Sequence, residues 1–347
     1  MPETVRLSHP VDYLAITPYL LGFHPAMSLV ILSFHDRALV GSARHDLPGD
    51  PHETGDVVAT CMKILTRSQA DGAAVIGYGP AEQVMPLLES LRGALASAGI
   101  AVLQLLRCAD NRYWTHLDAG PTDGTPFDLT ASAAAAQAVV AGLSALPDRG
   151  TFAACLEPAD GPDREAIRQA TQAARERAET LLTTEQPRYW YDEGTRALHE
   201  AFARTSADQP LSPEERAWLG VLLTSIVVRD IAMTLLGCYP PEAHIKLWGE
   251  VTRGAEPGYV AAPAALLAFA AYSRGAGTLA RIAVDRALAD NPRYSLAHLL
   301  DFSLREAMPP SMIHEMRVAD MGERIAAQVE SCPRAALPRL PVPAKGR

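Results

Sequence analysis

Within the first 110 residues, short apolar runs of strand length alternate with stretches of helical periodicity, and beyond them the pattern is almost wholly helical. The runs are residues 28–35 (SLVILSFH), 38–45 (ALVGSARH), 72–78 (GAAVIGY) and 100–107 (IAVLQLLR), with helical patterns at about 53–69 and 80–98. Only Asp36-Arg37 separates the first two runs, which predicts an antiparallel hairpin pairing Leu29 with Arg44 and Ser28 with His45. Helices between the later runs predict right-handed crossovers and a largely parallel arrangement.

A short helix over 12–21, interrupted or capped near Thr17-Pro18, precedes the hairpin; Gly22 is placed to close it and Phe23-His24-Pro25 to turn the chain. After the fourth run, 111–116 (NRYWTH) makes one further strand and HLDAGPTDGTPFD a turn-rich loop. An alanine-rich helix is expected over 130–146, then helices at about 163–182, 188–205, 212–237, 241–253, 263–274, 278–290 and 294–306. The fold class is therefore α+β or α/β: an N-terminal mixed sheet with a β-hairpin and βα crossovers over 1–157, then an all-α domain over 162–332. Ala268, Gly275, Ala280, Ala287 and Pro292 have the spacing of one tetratricopeptide-like helix pair. The proline-rich tail 333–347 is expected to be disordered.

Composition narrows the partners. The net charge of −9 opposes attraction to phosphate backbones or anionic lipid, so no nucleic acid and no membrane partner is expected. The longest apolar run, 218–228, is far short of the ~20 residues of a membrane span and reads as a buried helix. Five scattered cysteines without CxxC spacing fit a reduced cytoplasm, and the N-terminus shows no secretory signal. No cofactor is expected: the position of a third dinucleotide-binding glycine falls at Gln83 or its polar neighbours, and no Walker lysine follows.

The hairpin's open end gathers His24, Ser28, Arg44, His45 and Asp46, with His52 in the following loop. These are parts for acid–base work on an anion: an imidazole titrating near neutrality, a carboxylate to orient it, a hydroxyl and a guanidinium. The structural alternative has Arg44 and Asp46 pairing across the strand end and His24 capping carbonyls. His35 lies at the turn, about 20 Å from the open end, so the four early histidines cannot share one metal. Gly77-Tyr78-Gly79-Pro80 opens a helix after a strand, where amides hold phosphates, or is an ordinary tight turn. Arg112, Tyr113, Trp114 and His116 suit either a ligand site at the sheet's edge or a domain interface. Arg229-Asp230, inside an apolar helix, reads as a structural pair.

The stretches GFHPAMSLVIL, ARHDLP, YGP, NRYW, GTPFD and VRDIA occur in this order, followed by the long segment 247–297 beginning LWGEVTRGAEPGYVAAP. In them the chain resembles, over about residues 7–310, an actinobacterial family known as domain of unknown function 4192. The resemblance implies a bacterial cytoplasmic setting and draws attention to His24, Arg44, Asp46, Arg112, Tyr113 and Trp114. Family members often carry a cysteine-containing loop after the RYW motif, whereas this chain has HLDAGPTDG, so no metal or thiol role is expected of that loop.

The reading favoured by these features is a cytoplasmic binding or regulatory protein with a protein partner or a small anionic ligand. The alternatives are a hydrolase or transferase with His24 as general base, Asp46 orienting it and Arg44 holding the anion, or a structural subunit of a homo-oligomer or complex.

Overall fold

The computed structural model describes residues 7–117, 120–129, 132–141, 143–158, 161–184, 186–308, 318–331 and 337–341. The fold is α+β, a six-stranded mixed sheet followed by a mostly helical region. Two compact units divide the chain: Met1–Ala153 with Gly275–Thr278 and Ser303–Pro309, and Ala154–Arg274 with Leu279–Phe302 and Pro310–Arg347.

The first unit opens with α1 (Pro10–Leu21), started by Pro10 and by the Asp12 carboxylate, which accepts the N–H groups of Ser8 and His9, each at 2.9 Å. The expected break at Pro18 does not occur. The helix runs through it, the Thr17 hydroxyl donates back to the Tyr13 carbonyl at 2.6 Å, and Gly22 closes the helix at φ +85°. Then come β1 (Ser28–His35), β2 (Ala38–Asp46), α2 (Thr54–Arg67), β3 (Gly72–Tyr78), α3 (Ala81–Ser97), β4 (Ala101–Ala109) and β5 (Arg112–Thr115). The expected loop after β5 contributes a sixth strand, β6 (Thr125–Pro126), and the alanine-rich helix is shorter than expected, α4 (Ala133–Val140). The short α5 (Arg149–Ala154) ends the segment.

The sheet order is β2-β1-β3-β4-β5-β6, and only β3 and β4 pair in parallel, which corrects the expectation of a largely parallel sheet. The hairpin causes this. Because β2 runs back beside β1, α2 crosses over β1 to return β3 on its other side, and β1 lies antiparallel to both neighbours. One face packs Val30, Leu32, Ile76 and Leu106 under Leu14 and Ile16 of α1, and the other packs Leu29, Ile31, Val75 and Leu105 against Leu65 of α2 and Leu87 of α3.

The hairpin turns at Asp36-Arg37 as expected, both residues in the left-handed region (φ +47° and +66°) that a two-residue turn requires. Its register differs by one. Ser33 pairs with Gly41 and Phe34 with Leu39, so Val40 is an extra, bulged residue, and Arg44 faces Val30, His45 faces Leu29 and Asp46 faces Ser28. A one-residue slip exchanges the two faces of a strand. Arg44 and Asp46 therefore sit on the α1 face, and His45 on the face of α2 and α3.

The second unit contains α6 (Pro162–Thr184), α7 (Arg188–Ser206), α8 (Pro213–Leu222), α9 (Ile226–Thr234) and α10 (Pro241–Arg253). Later come α11 (Ala261–Ser273), most of α12 (Gly277–Asp290) and of α13 (Ser295–Arg305), and α14 (Val318–Ser331). The single helix expected over 212–237 is two, bent by 108° at a break before Ile226, with Ser225 buried at the turn in an extended conformation. Among the described residues no single helix is long and apolar enough to cross a membrane. Of the tail, 333–336 and 342–347 lie outside the described residues. Within 337–341, the Arg339 N–H donates to the Thr224 carbonyl at 3.4 Å.

The core of this unit holds one titratable group with a measurable signature. His244 of α10 is buried between Phe202 and Trp248, and the Trp248 indole N–H donates to its Nδ1 at 3.3 Å, which places the proton of the neutral ring on Nε2. Burial pulls its pKa down to about 4. In the unfolded chain the ring titrates near 6.5, so between about pH 6.5 and 4 the unfolded state binds a proton that the folded state does not, and stability falls with pH across that window. The loss approaches ~3 kcal/mol at the lower end. Urea unfolding at pH 7 and at pH 5 measures it, and in His244→Phe this part of the acid sensitivity disappears.

Candidate functional site

Because β1 and β5 are reversed, the carboxyl ends of β2, β3 and β4 and the start of β1 lie at one edge of the sheet. Asp46, Ser28, Tyr78, Cys108, Tyr113 and Thr125 pair successively there. Directly paired residues share a face, so these six form one row on the α1 side. Over the middle of the row, at Tyr78 and Cys108, lies a cavity of about 1040 Å³. Leu14 and Pro18 of α1 and the turn His24–Met27 wall one side, Gly79–Ala81 the next, Asp110-Asn111 of the β4–β5 turn the third, and Phe127–Leu129 the last. Every wall belongs to the first unit.

The walls are built from tight backbone. Met27, Asp110 and Asn111 are left-handed although none is glycine (φ +45°, +49° and +55°), and such conformations persist where surrounding structure over-determines them. The Met27 carbonyl accepts the Leu47 N–H at 3.0 Å, and the Gly79 N–H donates to the Cys108 carbonyl at 3.0 Å. The cavity floor is neutral. Burial pushes the Tyr78 phenol up, and it pushes the Cys108 thiol up to about 12 against the opposing pull of Arg107, so both groups stay protonated at neutral pH.

Arg107 lies on the face of the sheet opposite the cavity floor and meets the cavity at the sheet's edge, beside Gly79. Its guanidinium lies 3.6 Å from the Trp114 ring centroid and its Nη1 donates to the Gly79 carbonyl at 3.2 Å. His24 and the carboxylates Asp110 and Asp128 stand exposed at the mouth.

The expected site residues fall into three groups. His24 lines the cavity, while its own N–H is committed to the Leu146 carbonyl at 2.9 Å. Arg44 and Asp46 come together as an ion pair of 2.6 Å on β2, with the guanidinium mostly buried and the carboxylate exposed, and Asp46 is opposite Ser28. None of Ser28, Arg44 and Asp46 lines the cavity. His45, on the other face, has its pKa lowered by burial first and by Arg44 second. His52 occupies a turn, its N–H on the Asp50 carboxylate at 2.9 Å, and His35 lies at the far end, bonded to the Gln69 carbonyl at 2.7 Å.

At β5, Arg112 donates to the carbonyls of Asp123 and Gly124 at 3.1 and 2.9 Å, and the Trp114 indole N–H donates to the Thr122 carbonyl at 3.0 Å. Tyr113 packs on Phe127 with ring centroids 6.1 Å apart. Together they bind the loop 120–126 to the strand, and beside them Tyr113, Trp114 and His116 line a small pocket of about 190 Å³. In the second unit Arg229 pairs with Asp230, its Nε at 2.8 Å.

Arg107, Tyr78, Asp110 and Asn111 were not among the residues singled out for a site at the hairpin. The stretch Gly77-Tyr78-Gly79-Pro80 was the signal that could have found them. Among the described residues, no group of three or more His, Cys, Asp or Glu is placed to hold a metal ion.

The sequence matches the family described as a domain of unknown function, DUF4192, over residues 10–311. The chain belongs to the DUF4192 family. No curated protein matches the chain, and no solved structure does. The DUF4192 match spans both units, so the sheet with its cavity and most of the helical region fall within the family's boundaries.

Proposed function

We propose that this DUF4192 protein binds a small molecule in the cavity at the carboxyl edge of its sheet. The observation that carries the reading is the cavity itself: about 1040 Å³, walled by five chain segments, at the edge where open α/β sheets bind ligands. Apolar side chains such as Leu14, Met27, Phe127 and Leu129 offer area, and Arg107, His24 and the mouth carboxylates offer orientation. A reducing, cytoplasmic setting suits Cys61, Cys108 and Cys238, which are free thiols.

In the same reading the segment α11–α12 is tetratricopeptide-like: Ala268, Ala280 and Ala287 are fully buried, although the close packing partner of α11 is α10. Catalysis by His24 with Arg44 and Asp46 draws less support, because only His24 lines the cavity.

The test is native mass spectrometry of the full chain after exposure to a small-molecule extract. The wild type is expected to retain one adduct at a 1:1 ratio, and Cys108→Phe, which projects a ring from the floor, is expected to lose it with its circular dichroism unchanged. An adduct equally retained by Cys108→Phe, or the absence of any adduct, contradicts the reading.

A further inference from the structure

We infer that the ligand of this cavity carries an oxyanion, phosphoryl or carboxylate, which Arg107 receives; the inference rests on the reading of the cavity as a ligand site. Trp114 holds Arg107 in place. Its ring is pinned by the indole bond to Thr122 and by Gly124, where an added Cβ would stand 2.6 Å from the ring and where φ is +77°. The ring in turn fixes the plane of the Arg107 guanidinium at 3.6 Å, so little side-chain freedom is left to lose on binding.

Among the described residues this guanidinium spends one bond, Nη1 to the Gly79 carbonyl, and no carboxylate pairs with it. A guanidinium presents five donors, and a carboxylate or phosphoryl group matches two of them at once. Such a cation, held at the cavity's edge with no carboxylate bonded to it among the described residues, is a receptor for one. Ala81, the first residue of α3, lines the same wall, and its N–H precedes the first intrahelical bond. The helix dipole there adds to the attraction of Arg107.

The two carboxylates nearby do not cancel this arrangement. Asp110 and Asp128 are exposed at the mouth, where water screens them, while Arg107 is partly buried. The same polarity orients the ligand: its anionic end at the sheet's edge by Arg107 and Gly79, and a hydroxyl or amino end at the mouth.

Thermal unfolding of the full chain, titrated with inorganic phosphate and separately with acetate against sodium chloride at equal ionic strength, tests the inference. Stabilisation by phosphate, by acetate or by both supports it and tells which oxyanion is preferred. The apparent Kd is expected to rise about tenfold or more in Arg107→Gln and to be unchanged in Arg92→Gln on the exposed side of α3. In a second readout that needs no substitution, the Arg107 Nε–H resonance is expected to shift on addition of the bound anion. Failure of both anions to stabilise the wild type, equal stabilisation of Arg107→Gln, or an unmoved Nε–H resonance overturns the inference. A neutral adduct in the mass spectrum with no oxyanion binding overturns it too, while leaving the cavity as a ligand site.

Discussion

Gly77→Ala is expected to destabilise the first unit by about 2–3 kcal/mol, the upper part of the range for overpacked cores. Gly77 lies in β3 directly beneath α3, and a Cβ built on it stands 2.2 Å from Cγ1 of Val84 and 3.1 Å from its Cγ2. Neither side yields easily: β3 is held between β1 and β4 along its length, and Val84 belongs to the first turn of α3 with Leu87 and Leu88 packed behind it. The helix must lift, and it carries Ala81 of the cavity wall. For a unit of this size the cost corresponds to a fall in Tm of roughly 4–12 °C. Calorimetry of Gly77→Ala, Val84→Ala and the double variant measures it. The account predicts that Val84→Ala makes Gly77→Ala much cheaper, a coupling expected only of groups in contact; additive losses would show that the two positions do not meet.

The second large effect is expected at Glu193, whose carboxylate is buried in α7 among three donors. The Trp218 indole N–H donates to Oε1 at 2.7 Å, Arg177 donates to Oε1 at 3.0 Å, and Arg196 donates to both oxygens at 2.9 to 3.0 Å. Arg177 also lies over the Trp218 ring, 4.0 Å from its centroid. Removal of the carboxylate frees two arginines that are half in water and can hydrate, so their loss is modest. The indole N–H is different, because it is buried and has no water to turn to. Glu193→Ala is therefore expected to cost about 2–4 kcal/mol, most of it from that orphaned donor and the space left behind. Glu193→Gln keeps an acceptor for the indole and is expected to cost less than half as much. Chemical denaturation of both variants with the slope held equal checks the order, and a neutral Glu193→Ala would mean that the network contributes nothing net.

The sequence disclosed the elements better than their pairing. Residues 72–78 form β3 as read, and the hairpin turns at Asp36-Arg37 as read, because alternation, β-branching and turn position are local properties. The register was not local. Val40 sits in a run, ALVG, that reads as uninterrupted strand, and only Gly41 beside it hinted at a bulge. That one residue moves Arg44 and Asp46 to the face of α1 and sends His45 to the other side, which undoes the pairing from which the open-end site was assembled. The break before Ile226 was hidden for a similar reason: SIVVR continues the apolar run without glycine or proline, and α8 stops at Leu222 while the buried Ser225 starts α9 inside the core. The cavity walls come from five segments scattered between Leu14 and Leu129, which only the return of β3 beyond β1 brings together. His24, which lines the cavity, drew attention through its proline-bounded turn, whereas Arg107 looked like the last residue of an ordinary strand.

A crystal structure of the full chain carrying the small molecule it retains from the extract tests the central claim most directly. The account predicts continuous density over Tyr78 and Cys108, between His24 and Arg107, with the walls at 24–27, 79–81 and 127–129 in contact with the bound molecule. Density for that molecule at any other place on the protein, with only water above Tyr78, would contradict it.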